Sequence, residues 1–135
     1  MVSRKDTIAQ AQSGTGKTAT FSIGVLQMLD PKSPECQAVI LAPTRELAQQ
    51  INKVIFCFSE FIKINTRCCI GGTDPKEDRN ALREGGVHVV VGTPGRIKDL
   101  ISRKSLRTDF LKIVVLDEAD EMLGRGFVEE IKEIF

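Results

Sequence analysis

Two short runs, Ala38–Ala42 and Val87–Val91, are apolar without the polar–apolar alternation of a half-exposed strand. Such runs fit strands covered on both faces, as in a parallel sheet between helical layers. Thr7–Ala9, Arg67–Ile70 and Ile113–Leu116 predict three more strands, with helical periodicity between the runs. The clearest helix puts Leu47, Ile51, Val54, Ile55, Phe58 and Ile62 on one stripe, and Thr44 can cap its start. A second opens Asp74-Pro75-Lys76-Glu77, with an acid at N-cap, Pro at N1 and Glu at N3, and closes at Gly85-Gly86. A third follows Thr93-Pro94 through Ile97, Leu100 and Ile101. Strand–helix alternation predicts a three-layer α/β fold with a parallel sheet and right-handed crossovers. In such folds the working residues stand beyond the C-terminal ends of the strands.

The 135 residues make one domain, 1–135, and leave no length for a second. Apolar residues are 41% and charged residues 27%, which argues against a disordered or collagen-like chain. No apolar run approaches the ~18 residues that span a bilayer, and Met1–Asp6 lacks a secretory apolar region. The expected setting is cytoplasmic or nuclear, with no membrane partner. Cys36, Cys57, Cys68 and Cys69 form no C-x-x-C pair, and adjacent Cys68 and Cys69 would face opposite sides of a strand, against zinc or a disulfide. Cys57 and Cys69 read as small core hydrophobes, and His88, alone in an apolar strand, as a core histidine. Net charge is +1, yet residues 1–116 carry 17 Lys/Arg against 11 Asp/Glu, and residues 117–135 two against seven. A solvated acidic helix explains that end. With no Trp or Tyr, and seven Phe mostly at apolar helix positions, no base-stacking platform is expected.

Ala11-Gln12-Ser13-Gly14-Thr15-Gly16-Lys17-Thr18 matches the phosphate-loop pattern G-x-x-x-x-G-K-[ST] at all but its first position. Gly14 and Gly16 let the backbone curl until successive N–H groups face a phosphate. The helix that follows adds its own N–H groups and partial positive charge. Lys17 can reach the β- and γ-phosphates, and the Thr18 hydroxyl can ligate Mg²⁺. The alternative is a Gly-rich turn of no function; a strand before it and a helix after it weigh against that.

Ile113-Val114-Val115-Leu116-Asp117-Glu118 describes a buried strand delivering two carboxylates to its tip. Asp117 would hold Mg²⁺ through water, since Mg²⁺ keeps several of its waters. Glu118 would orient and deprotonate an attacking water. A strand followed by an acidic first helical turn is the rival reading of this hexapeptide alone. With the phosphate loop upstream, both halves of an Mg-nucleotide site stand in their usual order.

Asp117-Glu118-Ala119-Asp120 is the signature tetrapeptide of the DEAD-box RNA helicases, and the chain resembles the first RecA-like lobe of that family. Ala11–Thr18 resembles motif I, in which the family typically has Ala first. Pro43-Thr44-Arg45-Glu46-Leu47-Ala48 resembles motif Ia, Gly71-Gly72 the GG motif and Thr93-Pro94-Gly95-Arg96 motif Ib. Ile70-Gly71-Gly72-Thr73, and Asp117–Leu123 followed by Arg125-Gly126-Phe127, look most similar to the initiation factor 4A branch and its nuclear relatives. The resemblance implies ATP and Mg²⁺ as cofactors, hydrolysis of ATP to ADP and phosphate, and single-stranded RNA as partner. It also implies protein partners from a translation-initiation or RNA-processing complex. By the same resemblance Pro43, Thr44, Arg45, Gly71, Gly72, Thr93, Pro94, Gly95 and Arg96 would meet the RNA backbone, and Asp120 would couple this lobe to a second.

Such backbone contacts fit sequence-independent binding. Thr44 and Thr93 stand where helices begin, so N–H groups could meet a phosphate, and Arg45 and Arg96 could add charge-assisted hydrogen bonds. Without the family, the two threonines are plain N-caps, and Arg96, Lys98, Arg103, Lys104, Arg107 and Lys112 a solvated basic face. For Arg103, Lys104 and Arg107 the solvated reading is preferred.

Departures from the family pattern carry expectations too. The adenine-reading Q motif has no counterpart before Ala11, and the Ser-Ala-Thr of motif III does not occur before Phe135. The second lobe, with its arginine fingers, is absent from the sequence. The expectation is a truncated lobe: a fragment, a split gene product or an incomplete gene model. Its isolated turnover should be slow, because such an arginine is worth ~10³–10⁵ in rate. In RecA-like lobes the motif III strand lies between the motif I and DEAD strands. Its absence predicts a gap or altered pairing between the halves of the nucleotide site. A lobe that docks RNA or protein without turnover, or a nucleotide-hydrolysing enzyme acting on DNA, are the other functions these residues permit.

Overall fold

The computed structural model describes residues 3–11 and 16–135. Four strands, β1 (Ala38–Leu41), β2 (Thr66–Cys69), β3 (Val89–Gly92) and β4 (Ile113–Leu116), form one parallel sheet in the order β2-β3-β1-β4. Six helices connect and flank them: α1 (Lys17–Gln27), α2 (Arg45–Ser59), α3 (Pro75–Glu84), α4 (Pro94–Ser102), α5 (Ala119–Gly124) and α6 (Val128–Ile134). Among the described residues no helix is long and apolar enough to cross a membrane.

The central strands lack alternation because both of their faces are covered. Ala38, Ile40, Val89 and Val91 pack against Val25 and Leu26 of α1 and Ile51 and Ile55 of α2. Val39, Leu41 and Val90 point the other way, to Ile97 and Leu100 of α4 and Met122 of α5. Burying each such side chain stabilises by roughly 1.5–3 kcal/mol. Cys68 and Cys69 divide between the two faces in the same way. His88 is a core histidine as expected, 4% exposed, and its Nδ1 accepts from the Asn65 N–H at 2.9 Å.

Helix starts follow their caps. Thr44 Oγ1 accepts from the Leu47 N–H at 3.2 Å, and Asp74 Oδ1 from the Lys76 N–H at 2.8 Å. Thr93 holds the N-cap position of α4 but makes no side-chain capping bond. At Gly92 a Cβ would run into the Cys69 carbonyl oxygen and the Ile97 side chain, so only glycine lets β3, β2 and α4 close together.

Several sequence expectations fail at the margins of this packing. Thr7–Ala9 is not a strand: the segment carries no regular structure and Ile8 is fully exposed. β4 pairs only with β1, so no ladder reaches the segment, and β4 itself is half-buried along its length. α2 ends at Ser59, short of Ile62. Phe58 in its last turn is exposed, Ile62 in the turn beyond it is exposed as well, and Cys57 is exposed and not a core residue. The fifteen residues of α2 span about 22 Å, whereas a four-residue strand spans about 13 Å. Burial still runs the length of α2, in a narrow row of Ala48, Ile51, Ile55 and Ser59 that leaves Phe58 outside it. Of the phenylalanines, Phe21 is buried, whereas Phe56, Phe58, Phe61, Phe110 and Phe135 are exposed.

Candidate functional site

The strand register assembles the site. Leu41 pairs with Gly92 and Leu116, and Cys69 pairs with Gly92, so all four strands finish level. The loops that follow them emerge along one edge of the sheet.

At one part of this edge, Gly16 caps α1 with φ +82°, a conformation that glycine alone adopts without strain. The Thr20 N–H donates to the Gly16 carbonyl at 3.0 Å. The N–H groups before it sit in the first turn, where a helix supplies no acceptor, the arrangement that suits an anion. Lys17 and Thr18 occupy that turn. Lys17 Nζ lies 3.2 Å from Asp117 Oδ1 and 3.2 Å from Glu118 Oε1. Burial alone would lower the Lys17 pKa, but hydrogen bonds to Glu118 and Asp117, with their charges, outweigh it and raise it above 10.5. Lys17 is thus a fixed cation at neutral pH.

Asp117 is 4% exposed at the tip of β4 and accepts from the Glu118 N–H at 3.1 Å. Glu118 has φ 52° and ψ 50°, a left-handed turn that costs a non-glycine residue roughly 1–2 kcal/mol. That turn ends β4, starts α5 and returns the Glu118 carboxylate to Lys17. Asp120 is exposed in the first turn of α5, where its Oδ1 accepts from the Glu121 N–H at 3.1 Å. Ala11 is exposed without regular structure, and Gln12, Ser13, Gly14 and Thr15 lie outside the described residues. A hydroxyl and carboxylates are hard oxygen donors of the kind Mg²⁺ takes. The Lys17 ammonium already rests between the two acids, so the position favours positive charge.

Further along the edge lies an open groove of about 580 Å³. Pro43, Thr44, Arg45, Gly71, Thr93, Gly95 and Arg96 line it, from three separate loops. Gly72 stands behind it with φ +87°, and a Cβ there would come within 2.7 Å of Arg45 Nη1. The two glycines are the platform on which the Arg45 guanidinium lies. Pro94 is buried at the start of α4. Arg45 is exposed and forms no ion pair among the described residues.

Arg96 differs. Its side chain is only 9% exposed, and it donates to Asp78 Oδ2 at 2.7 Å and to the Thr73 carbonyl at 3.0 Å. It is not part of a solvated face, whereas Arg103 and Arg107 are solvated as expected. Glu46, Asp99, Arg125 and Phe127 also line the groove. Glu46, Arg125 and Phe127 fall in stretches that carry the family resemblance but are given no place at the RNA site by it, and Asp99 is not singled out. Arg125 is held by Glu121 at 2.9 Å, one helical turn earlier, a spacing visible in the sequence.

A parallel α/β sheet whose strand tips bring a Gly-Lys helix start to paired acids defines a RecA-like lobe. The DEAD/DEAH box helicase family model matches residues 1–135, and the chain belongs to that family. It is 60% identical over 131 residues to eukaryotic initiation factor 4A of Drosophila melanogaster, covering 97% of this chain and 32% of the relative. Against the ATP-dependent RNA helicase eIF4A of Neosartorya fischeri it is 62% identical over 135 residues, covering 100% and 34%. The similarity thus falls on the initiation factor 4A branch. Among solved structures, a DEAD box protein from the hyperthermophile Methanococcus jannaschii superposes with TM-score 0.87 at 38% identity, over 98% of this chain and 36% of that one. Saccharomyces cerevisiae Dbp5 bound to RNA and ADP BeF3 gives 0.84 at 40%, over 94% and 32%. The chain spans about a third of the length of the relatives it matches.

Proposed function

We propose that this chain is the ATP-binding first lobe of an ATP-dependent RNA helicase of the initiation factor 4A type. The meeting of Lys17 with Asp117 and Glu118 at the strand tips carries the reading. In it, the N–H groups at the start of α1 and the Lys17 ammonium hold the phosphates of ATP. Thr18 and Asp117 would hold Mg²⁺, which when bound neutralises charge developing on the transferred phosphoryl group. Arriving phosphate oxygens draw Lys17 away from Glu118, leaving that carboxylate to orient a water and accept its proton. Asp120, exposed at the start of α5, faces the role of contact to a second lobe.

On the same edge the groove takes the backbone of single-stranded RNA. Arg45, seated on Gly71 and Gly72, supplies the charge. Contacts to the sugar–phosphate backbone are in keeping with sequence-independent binding. The relatives' names, and the RNA and ADP BeF3 held by Dbp5, support this reading. Protein partners of a translation-initiation or RNA-processing complex are proposed as well; a related Dbp5 structure holds Nup159 and Gle1.

The test is Glu118→Gln in the full-length helicase that carries this lobe. ATP binding should persist while RNA-stimulated hydrolysis falls by about 10²–10⁴. Matched DNA should stimulate the unaltered enzyme far less than RNA, because the 2′-hydroxyl tells the two apart. Hydrolysis at the unaltered rate in Glu118→Gln would overturn the assignment.

A further inference from the structure

The groove has walls from two different crossovers, the turn after β2 and the start of α4. Their strands are joined in register as far as Cys69 and Gly92. Beyond that rung, no backbone hydrogen bond among the described residues links residues 70–74 to 93–96. A side chain makes the link instead. Arg96, in the first turn of α4, donates through Nη2 to the Thr73 carbonyl at 3.0 Å and through Nη1 to Thr73 Oγ1 at 3.4 Å. The Thr73 hydroxyl in turn donates to the Ile70 carbonyl at 2.9 Å, closing the turn around Gly71 and Gly72.

What holds Arg96 in place is Asp78. It is the one fully buried residue of α3, 3% exposed, on a helix whose remaining residues are half-buried or exposed. Its Oδ2 accepts from Arg96 at 2.7 Å and its Oδ1 from Arg67 Nε of β2 at 3.0 Å. A buried ion cluster is a poor way to gain stability, because desolvation offsets much of the attraction and apolar packing does as well. It does fix geometry: α3, β2, α4 and the Thr73 turn meet at one carboxylate.

We propose that Asp78 is a positioning residue for RNA binding, setting the spacing between the Gly71–Thr73 turn and the start of α4 through Arg96. The inference rests on the reading of the groove as an RNA site. It assigns Arg96 to bracing the groove, with Arg45 left to meet phosphate.

Simple electrostatics gives the opposite sign. A carboxylate beneath an anion-binding groove repels RNA, so neutralising it should tighten binding. Positioning requires that Asp78→Asn weaken binding, by about tenfold. Asp78→Glu keeps the charge but lengthens the arm; positioning predicts weakening there too, whereas a charge effect predicts no change. Thr73→Val keeps the carbonyl that Arg96 meets but removes the hydroxyl, and with it the second Arg96 contact and the bond to Ile70 that closes the turn. At this exposed position it should weaken binding about threefold with the melting temperature unchanged.

The measurement is RNA-stimulated ATPase and fluorescently labelled oligouridylate binding in the full-length helicase, with Arg45→Ala alongside. The expected pattern is a raised KM for RNA with kcat at saturating RNA unchanged. A merely misfolding variant would lose kcat instead. If Arg45→Ala weakens RNA binding but Asp78→Asn and Thr73→Val leave it unchanged or tighter, the positioning role is wrong and the groove reading stands. If Arg45→Ala has no effect, the groove is not the RNA site and both proposals fall.

Discussion

Lys17 and Glu118, 101 positions apart in the chain, meet at 3.2 Å, with Asp117 completing the contact at the same distance. Among the described residues no strand pairs with the outer edge of β4, yet the cation and the acids still converge. The gap foreseen from the sequence is real as an unpaired β4 edge, but α1, lodged against α2 and the sheet, carries Lys17 across it.

Replacing Lys17 by Met should abolish ATP binding, read by calorimetric titration with Mg-ATP. It should also cost about 1 kcal/mol of stability, since the amine is partly solvated while Asp117 is buried. The pH dependence has a definite sign. A raised lysine pKa contributes fully below 10.5 and is lost only as pH rises past its folded value. The gap in Tm between the two proteins should stay constant from about pH 7 to pH 9 and close only in stronger alkali.

Arg45→Ala should flatten the salt dependence of RNA binding. One phosphate contact contributes a slope of about 0.7 in log Kd against log salt for single strands. Affinities across a salt titration check this; an unchanged slope would remove Arg45 from the phosphate contacts.

Gly92→Ala should destabilise the fold by about 1–3 kcal/mol, because the added methyl meets the Cys69 carbonyl and the Ile97 side chain inside a closed sheet. Thermal melting should show a loss of about 3 °C or more. Gly124→Ala, in the last turn of α5 where an added Cβ meets nothing, is the control and should leave Tm in place or raise it slightly.

Thiol chemistry should follow burial. Desolvation pushes the Cys36 and Cys69 thiols up to about 12, and raises Cys68 as well, helped by the Asp78 charge. Cys57 is exposed. A disulfide-exchange reagent at about pH 8 should modify Cys57 promptly and reach Cys36 and Cys69 only on unfolding; peptide mapping of the labelled protein decides.

The sheet and the site were largely legible because their signals are local or patterned. Val39 and Val90 read as doubly covered strand residues, and they are. Thr44 and Asp74 read as caps, and both accept the expected N–H. Periodicity picked the inward face of α2 but not its width: the buried row is Ala48, Ile51, Ile55 and Ser59, and Phe58, placed on the stripe from the sequence, lies outside it. Asp78 was missed for a different reason. An acid early in a helix is normally a favourable, solvated choice. The available hint was Leu82, four residues on, which packs on the sheet and so marks Asp78 as sharing the inward side.

The level finish of the four strands has a consequence for tolerance. A slip of one residue in any strand would carry its loop about 3.3 Å along the sheet and turn every following side chain to the opposite face. Lys17 could then no longer span to the acids, nor Arg96 to Thr73. The valines at the centre of the sheet, which touch neither phosphate nor RNA, therefore act as the gauge against which every working atom is measured.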